Sequence, residues 1–199
     1  MGNADFYAYD FAVYIGGDKN KYISPMWHSG MAQGHMLSVF SRLYAIDGDQ
    51  KWLEAAQRAF NSFTVPRKAG QPWVTTLDAN GRVWFEEYAS DRTTPPLVIN
   101  GLAFAIFGMY DYFQITQDPR ARILMDAGAT TYRDSHPEYR NPGGISYYCA
   151  ENPHCQHYRW ARSVHYHEVV VDQLKVLSQM TADSGFSAIA AQFLRDYPV

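Results

Sequence analysis

The sequence predicts a mainly α-helical fold of three α/α helix hairpins, with one small β-hairpin between the first and the second. Three observations carry this prediction. Apolar residues recur at helical spacing in six segments of the 199-residue chain. Short links join these segments in pairs, as in antiparallel helix hairpins. One further stretch has extended runs on both sides of an Asn80-Gly81 turn. Successive helix hairpins predict a solenoid-like or toroidal α/α array.

The first hairpin comprises predicted helices over residues 30–46 and 50–63. Met31, Leu37 and Phe40 recur at helical spacing in the first helix, and Asp49 is placed to cap the second. The β-hairpin follows over residues 75–85, because Asn-Gly favours the positive φ angles of a tight turn.

The second hairpin begins after Pro95-Pro96, with a helix over residues 97–115 that is apolar on nearly all sides and is therefore expected to be buried. The second helix of this hairpin begins at Asp118-Pro119 and runs to residue 133. A short strand is predicted over 145–149 and a polar loop over 151–162. Helices over 166–180 and up to 197 form the third hairpin, and Ser184 is the expected cap of the last helix.

The domain prediction is an irregular N-terminal extension over residues 1–25, or a strand fragment there, followed by a single domain over 26–199. Hydrophobic residues make up 47% of the chain and charged residues 19%, which is typical of a globular protein. The net charge of −3 and the pI of about 6.1 argue against a nucleic-acid-binding protein. No apolar run reaches the ~20 residues of a membrane span. The first residues show no signal peptide, so a cytoplasmic location is the default expectation.

The stretch over residues 83–88 combines aromatic rings with two adjacent carboxylates. Rings stack on sugar faces and carboxylates bond hydroxyls or move protons, so Trp84, Glu86, Glu87 and Tyr88 are candidates for a carbohydrate site. The alternative is a core strand with a solvated acidic end. If the strand is regular, Glu87 and Tyr88 point to opposite faces, so both reach one site only if the strand ends or bulges near Glu86.

The segment over residues 132–167 has four arginines and five histidines, which suits either an anionic ligand or an ordinary mixed surface. It also contains both cysteines, Cys149 and Cys155, which are close enough in sequence for a disulfide. A structural zinc site that includes some of Cys149, His154, Cys155, His157, His165 and His167 is an alternative, but the usual zinc-ligand spacings do not occur, so no metal is predicted.

Several short motifs occur in one order along nearly the whole chain. They are Ser-Gly-Met-Ala-Gln-Gly over 29–34 with Leu-Ser-Val over 37–39, Glu-Glu-Tyr over 86–88 with Thr-Pro-Pro over 94–96, Val-Ile-Asn-Gly over 98–101, Gly-Met-Tyr-Asp over 108–111, Gly144 with Tyr147, and Tyr166-His167 with Gln173-Leu174. Together they resemble the C-terminal domain of heparosan-glucuronate C5-epimerases, which convert D-glucuronate to L-iduronate.

The resemblance implies an α/α toroid-type domain, an anionic uronate-containing polysaccharide as substrate, and no organic cofactor. By position it assigns catalysis to Glu87, Tyr88, Tyr166 and one tyrosine of the 147–148 pair. Counting from Gly144 favours Tyr147, and counting back from Tyr166 favours Tyr148. We take Tyr147 as catalytic and expect the remaining substrate contacts from Gln33, Trp84, Glu86, Asn100, Tyr148, Arg162 and His167. Asn100 could instead be a structural hydrogen-bonder in a buried helix.

Epimerisation at C5 removes a proton α to a carboxylate and returns one to the opposite face. We assign removal to Glu87 and return to Tyr166, with Tyr88 and Tyr147 orienting or relaying. A phenol acting alone as base would need about 4 kcal/mol to lower its pKa by about three units, and a neighbouring carboxylate opposes that change. The alternatives are a uronate lyase that uses the same carbanion and a non-catalytic uronan-binding domain. A homodimer or partner chain could complete the cleft.

Overall fold

The computed structural model describes residues 3–15, 18–20, 22–92, 94–150 and 163–199. The described chain is mainly helical, with three small antiparallel strand pairs. Its helices are α1 (Gly30–Asp47), α2 (Gln50–Phe63), α3 (Ile99–Thr116), α4 (Pro119–Asp134), α5 (His136–Tyr139), α6 (Val164–Thr181) and α7 (Ser184–Asp196). Its strands are β1 (Ala8–Tyr9), β2 (Val13–Tyr14), β3 (Tyr22–Ile23), β4 (Trp27–His28), β5 (Thr75–Leu77) and β6 (Val83–Phe85).

The six long helices lie where the apolar periodicity predicts them, and side-chain caps fix several of their starts. Ser29 accepts a hydrogen bond from the Ala32 amide, and Asp118 caps α4 just before Pro119. The cap of α7 is Asp183, whose carboxylate accepts from the Gly185 amide, so the prediction that Ser184 is the cap was wrong by one residue. The short helix α5 was not predicted.

Helix α3 lies at the centre of the molecule and contacts α1, α4 and α6. Its residues are buried on nearly all sides, as its composition predicts. The close crossing of α1 and α3 depends on Gly34 and Gly108, because a Cβ on Gly108 would lie 2.2 Å from the Gly34 carbonyl oxygen. This central position places the start of α3 against the turn that follows β6.

The described residues of the N-terminal segment form two short strand pairs, which fits the strand alternative of the prediction better than an irregular extension. β1 pairs with β4 through Ala8–His28 and Tyr9–Trp27, and β2 pairs with β3. The segment is attached to the helices by Gln33 on α1, whose side-chain amide donates to the Asp5 carbonyl at 2.7 Å and accepts from the Tyr7 amide at 2.8 Å. The β1–β4 pair spans the predicted boundary between residues 25 and 26.

The predicted β-hairpin is present as β5 and β6, which pair through Thr75–Phe85, Thr76–Trp84 and Leu77–Val83. Gly81 has the left-handed backbone conformation that the turn requires, with φ of 76°. Residues 145–149 form no strand; Cys149 makes a single bridge to Val98 just before α3. The predicted loop over 151–162 lies outside the described residues. In the described part, no helix is both long and apolar enough to cross a membrane.

Candidate active site

Strand β6 ends at Phe85, so Glu86, Glu87 and Tyr88 lie in the turn that follows it. The Glu86 side chain holds this turn. It is fully buried, and its two oxygens accept hydrogen bonds from the backbone amides of Tyr88 at 2.9 Å and Leu97 at 3.0 Å. The structure therefore gives no support to the predicted substrate contact by Glu86, because both oxygens bind the protein's own backbone.

Glu87 is the chemically distinctive residue of this turn. Its side chain is buried, and Oε1 accepts a hydrogen bond from the Tyr148 hydroxyl at 2.9 Å. Oε2 has no hydrogen-bond partner among the described residues. Gly101 on α3 provides the space for this carboxylate, since a Cβ there would lie 2.5 Å from Oε2. Glycine at position 101 therefore lets the carboxylate approach the first turn of α3.

The pKa of Glu87 is raised to about 7, mainly by burial; the nearby Glu86 carboxylate adds to this rise, and the hydrogen bond from Tyr148 opposes it. A carboxyl with this pKa exchanges its proton readily near neutral pH. The buried carboxyl of Glu87 can therefore act as an acid or as a base near neutral pH.

Two phenols accompany Glu87. The hydroxyls of Tyr88 and Tyr148 lie 3.5 Å apart. Burial, followed by the negative charge of Glu87, raises the pKa of both phenols above the usual value for tyrosine. Both phenols therefore stay protonated near pH 7 and act as hydrogen-bond donors or proton relays.

The structure brings Tyr148, and not Tyr147, to Glu87. The Tyr147 hydroxyl donates to the Asn141 side chain at 3.2 Å, and its ring packs against the main core. This geometry gives no support to the catalytic role predicted for Tyr147. Tyr148, which contacts Glu87, is the better candidate for that role. Tyr166, in the first turn of α6, is partly buried and contacts the Tyr148 ring edge-to-face at 4.8 Å.

The sequence analysis missed Trp27 and Tyr9, which form the other wall of the site. The Trp27 ring stacks on Tyr88 at 5.5 Å, and its centroid lies 4.4 Å from that of the Tyr9 ring, which is tilted by 33°. The charge of Glu87 contributes to a raised pKa for Tyr9, although burial is the larger cause. Trp27 is noticeable in the sequence as an aromatic residue just before a predicted helix, but nothing in the sequence indicates that residue 27 contacts residue 88.

Backbone strain is present at the same place. Leu97 has φ of 58°, in the left-handed region that a branched side chain rarely adopts. The Leu97 amide donates to the Glu86 carboxylate, and the Leu97 carbonyl accepts a hydrogen bond from the Ala150 amide at 3.0 Å. Such strain persists only where the surroundings hold it, at a cost of order 1–3 kcal/mol. It also explains why α3 begins at Ile99 and not at the predicted residue 97.

Three of the predicted substrate contacts are structural residues. Trp84 is fully buried, and its indole N–H donates to Asp78 at 3.1 Å. The amide of Gln33 binds Asp5, Tyr7 and Ser62. His167 is fully buried and accepts from the Ser146 amide through Nδ1, so Nε2 donates to the Tyr197 carbonyl at 3.0 Å. These groups have partners within the protein, so the structure gives no support to the three predicted contacts.

Asn100 remains a candidate contact, since its Oδ1 is buried and has no hydrogen-bond partner among the described residues. It directly precedes Gly101, which faces Glu87. The predicted contact by Arg162 lies outside the described residues.

Two residues considered as zinc ligands have other partners. Cys149 is disulfide-bonded, and both ring nitrogens of His167 are hydrogen-bonded. Cys155, His154 and His157 lie outside the described residues. Within the described ranges, no group of three or more His, Cys, Asp or Glu side chains is arranged to hold a metal ion.

The chain is similar to known proteins over most of its length. The family model described as D-glucuronyl C5-epimerase C-terminus matches residues 3–195. A D-glucuronyl C5-epimerase of Caenorhabditis elegans is 30% identical over 188 residues, which cover 86% of this chain and 29% of the relative. An uncharacterised protein of Methanocaldococcus jannaschii is 30% identical over 154 residues, which cover 76% of this chain and 47% of that protein. The chain therefore spans less than half the length of either relative.

Proposed function

The chain belongs to the D-glucuronyl C5-epimerase C-terminal family, and from this premise we propose that it epimerises C5 of D-glucuronate to L-iduronate in a heparosan-like polysaccharide. The observation that supports this most is the Glu87 carboxyl, buried with a pKa of about 7 beside the phenols of Tyr88 and Tyr148. We also propose that the three helix hairpins are part of an α/α toroid-like array. The cleft that binds the polysaccharide is either formed by this chain alone or completed by a second copy or a partner chain.

In this proposal Glu87 is the final proton acceptor of a relay that begins at C5. Its side chain is only 4% exposed, so the half-buried phenol of Tyr88 makes the contact with the sugar. As Tyr88 takes the C5 proton, its own proton passes to the Tyr148 hydroxyl and the Tyr148 proton passes to Glu87, so no free phenolate forms beside the carboxylate. This concerted transfer avoids the state that the raised pKa of Tyr88 disfavours.

The opposite face of the sugar is served by Tyr166. Its ring is partly buried against Tyr148, and it is carried by α6 and not by the turn that carries Glu87. Return of a proton from Tyr166 inverts C5. The carbanion between the two steps resembles an enolate, and its developing charge requires hydrogen-bond donors at the site.

The test is hydrogen exchange at C5. The purified chain is incubated with heparosan in D₂O, loss of the H5 signal is followed by NMR, and unsaturated uronate is followed by ultraviolet absorbance in the same tube. We expect exchange with new iduronate signals and no rise in absorbance. Removing the proton acceptor with Glu87→Gln should reduce exchange by about 10²-fold or more.

A matched pair of variants separates the two neighbouring tyrosines. Tyr148→Phe removes the hydroxyl that binds Glu87 and should reduce exchange by about tenfold or more, the effect of one lost hydrogen bond to a charged group. Tyr147→Phe removes a hydroxyl bound to Asn141 and should leave exchange nearly unchanged.

Other outcomes would replace the proposal. Rising absorbance would show a carbanion that eliminates its 4-substituent, which is lyase activity. Saturable binding of heparosan by the wild-type chain with no exchange would show a binding domain. Unchanged exchange in Glu87→Gln would remove Glu87 from the mechanism.

A further inference from the structure

A cleft of about 390 Å³ lies beside the candidate site. Three segments form its walls: the turn between β3 and β4, residues 70–73, and residues 89–92. It adjoins the site at two places. Trp27 lines the cleft and also stacks on Tyr88, and Ala89, the residue after Tyr88, pairs with His28 at the cleft edge.

The two charged side chains that line this cleft, Asp91 and Arg92, differ in whether the protein itself already binds them. Asp91 is committed to the protein, because its oxygens accept from the Gly70 amide and the Trp73 indole, both at 2.9 Å, and Arg67 lies 3.7 Å away. Arg92 is exposed, and its guanidinium has no hydrogen bond or ion pair among the described residues. The uncommitted charge in the cleft is therefore positive.

The apolar part of the cleft is also unusual. Met26 is 62% exposed and has φ of 66°, a strained conformation for a residue other than glycine. Its amide donates to the Tyr9 carbonyl at 2.8 Å, which fixes this turn to β1. Strain that keeps an apolar side chain at a cleft edge is more readily explained by a ligand than by stability, since exposing Met26 gains nothing in water.

We propose that this cleft is a second subsite for the polysaccharide, in which Arg92 binds the carboxylate of another uronate residue of the same chain. The mixed walls suit a pyranose ring, which offers apolar C–H faces and polar edges, and a planar guanidinium suits a carboxylate. This inference rests on the proposed function for its ligand class.

The test is the dependence of binding on oligosaccharide length. Heparosan disaccharide carries one carboxylate and the tetrasaccharide carries two, and both are titrated by calorimetry into wild-type protein and Arg92→Gln. The second carboxylate should tighten binding to the wild type. Arg92→Gln should weaken tetrasaccharide binding about three- to fivefold, the worth of one exposed ion pair, and leave disaccharide binding unchanged. The difference should shrink as salt is added.

Arg122→Gln is the matched control, since Arg122 is an exposed arginine on α4 outside the cleft. With an active enzyme, Arg92→Gln should raise KM for the tetrasaccharide at constant kcat. Equal affinity of wild type and Arg92→Gln for the tetrasaccharide would overturn the subsite, as would an equal loss for both lengths. Absence of C5 exchange in the wild type would overturn the proposed function alone, because the titrations would still measure the subsite.

Discussion

Glu86 and Glu87 are adjacent, buried and of the same chemical type, yet their surroundings give them different roles. Both oxygens of Glu86 accept backbone amide hydrogen bonds, which makes this carboxylate part of the scaffold. Glu87 receives one hydrogen bond, from Tyr148, and its second oxygen has no partner among the described residues. Desolvation therefore outweighs hydrogen bonding at Glu87 and raises its pKa.

The raised pKa of Glu87 predicts that the protein loses stability as pH rises. The pKa is about 7 in the folded protein against 4.5 in the unfolded chain, so the folded state binds more protons between these values. Stability should fall through this window by about 3 kcal/mol and level off above pH 7. Glu87→Gln cannot ionise, so its stability should lack this fall.

Urea denaturation of both proteins at pH 5 and pH 8 measures the effect. Glu54→Gln, an exposed carboxyl on α2, is the control and should follow the wild type. Parallel profiles for the wild type and Glu87→Gln would contradict the assignment of the raised pKa to this residue.

The sequence indicated the Glu87 turn because acid and aromatic residues are concentrated there, but it could not distinguish core residues from ligand contacts. Trp84 and His167 have types that suit a sugar site, and both are fully buried. The choice between Tyr147 and Tyr148 depends on which way the chain faces after residue 144. That direction is set by contacts with distant residues, such as the Tyr147 amide to the Tyr139 carbonyl at 2.8 Å.

At the scale of elements, the long helices were predictable because each has enough apolar residues for its period to appear locally. The N-terminal strands were not, since each has two residues and exists only through a distant partner, as Ala8 does through His28. The predicted strand over 145–149 has residue types that favour strands, but its only pairing among the described residues is the bridge from Cys149 to Val98. Pairing, and not propensity, decides these short elements.

The contact between α1 and α3 predicts a sharp difference between two helical glycines. In Gly108→Ala the new Cβ would lie 2.2 Å from the Gly34 carbonyl oxygen, a backbone atom that cannot move alone. We expect a net loss of about 1–3 kcal/mol, because strain exceeds the gain of about 1 kcal/mol in helix propensity.

Gly128→Ala on α4 is the matched control. Its new Cβ would meet side-chain atoms of Phe85 at 2.8 Å and Ile106 at 3.0 Å, which can shift. Its unfolding free energy from urea titration should fall less than that of Gly108→Ala. Equal losses would mean that the α1–α3 crossing is not the constraint.

At the scale of the whole molecule, the candidate site is assembled from segments far apart in sequence. The turn after β6 supplies Glu87 and Tyr88, the start of α3 supplies Gly101, and Tyr148 and Tyr166 come from later segments. Trp27 comes from the N-terminal strand pairs. The geometry of the site therefore depends on how firmly the N-terminal segment is held to the helices.

Gln33 is the main link between that segment and the helices, which predicts a combined effect of its loss. Its buried amide binds the Asp5 carbonyl, the Tyr7 amide and the Ser62 hydroxyl. Gln33→Leu keeps a similar volume but leaves these groups unpaired, at about 1–3 kcal/mol for a buried group without a partner. The segment should detach to recover water contacts, and Trp27 should then lose its fixed position on Tyr88.

Hydrogen exchange measures this directly. The Met26 amide, which donates to the Tyr9 carbonyl between the two strands, should exchange faster in Gln33→Leu, while amides in the middle of α3 keep their protection relative to global unfolding. Gln114→Leu, an exposed glutamine on α3, is the control and should change neither. If Met26 stays protected in Gln33→Leu, the Asp5–Arg58 ion pair and the Asn61 bond to the Asn3 carbonyl suffice to hold the segment. Faster exchange at Met26 together with slower C5 exchange would show that the strand pairs position the aromatic wall of the site.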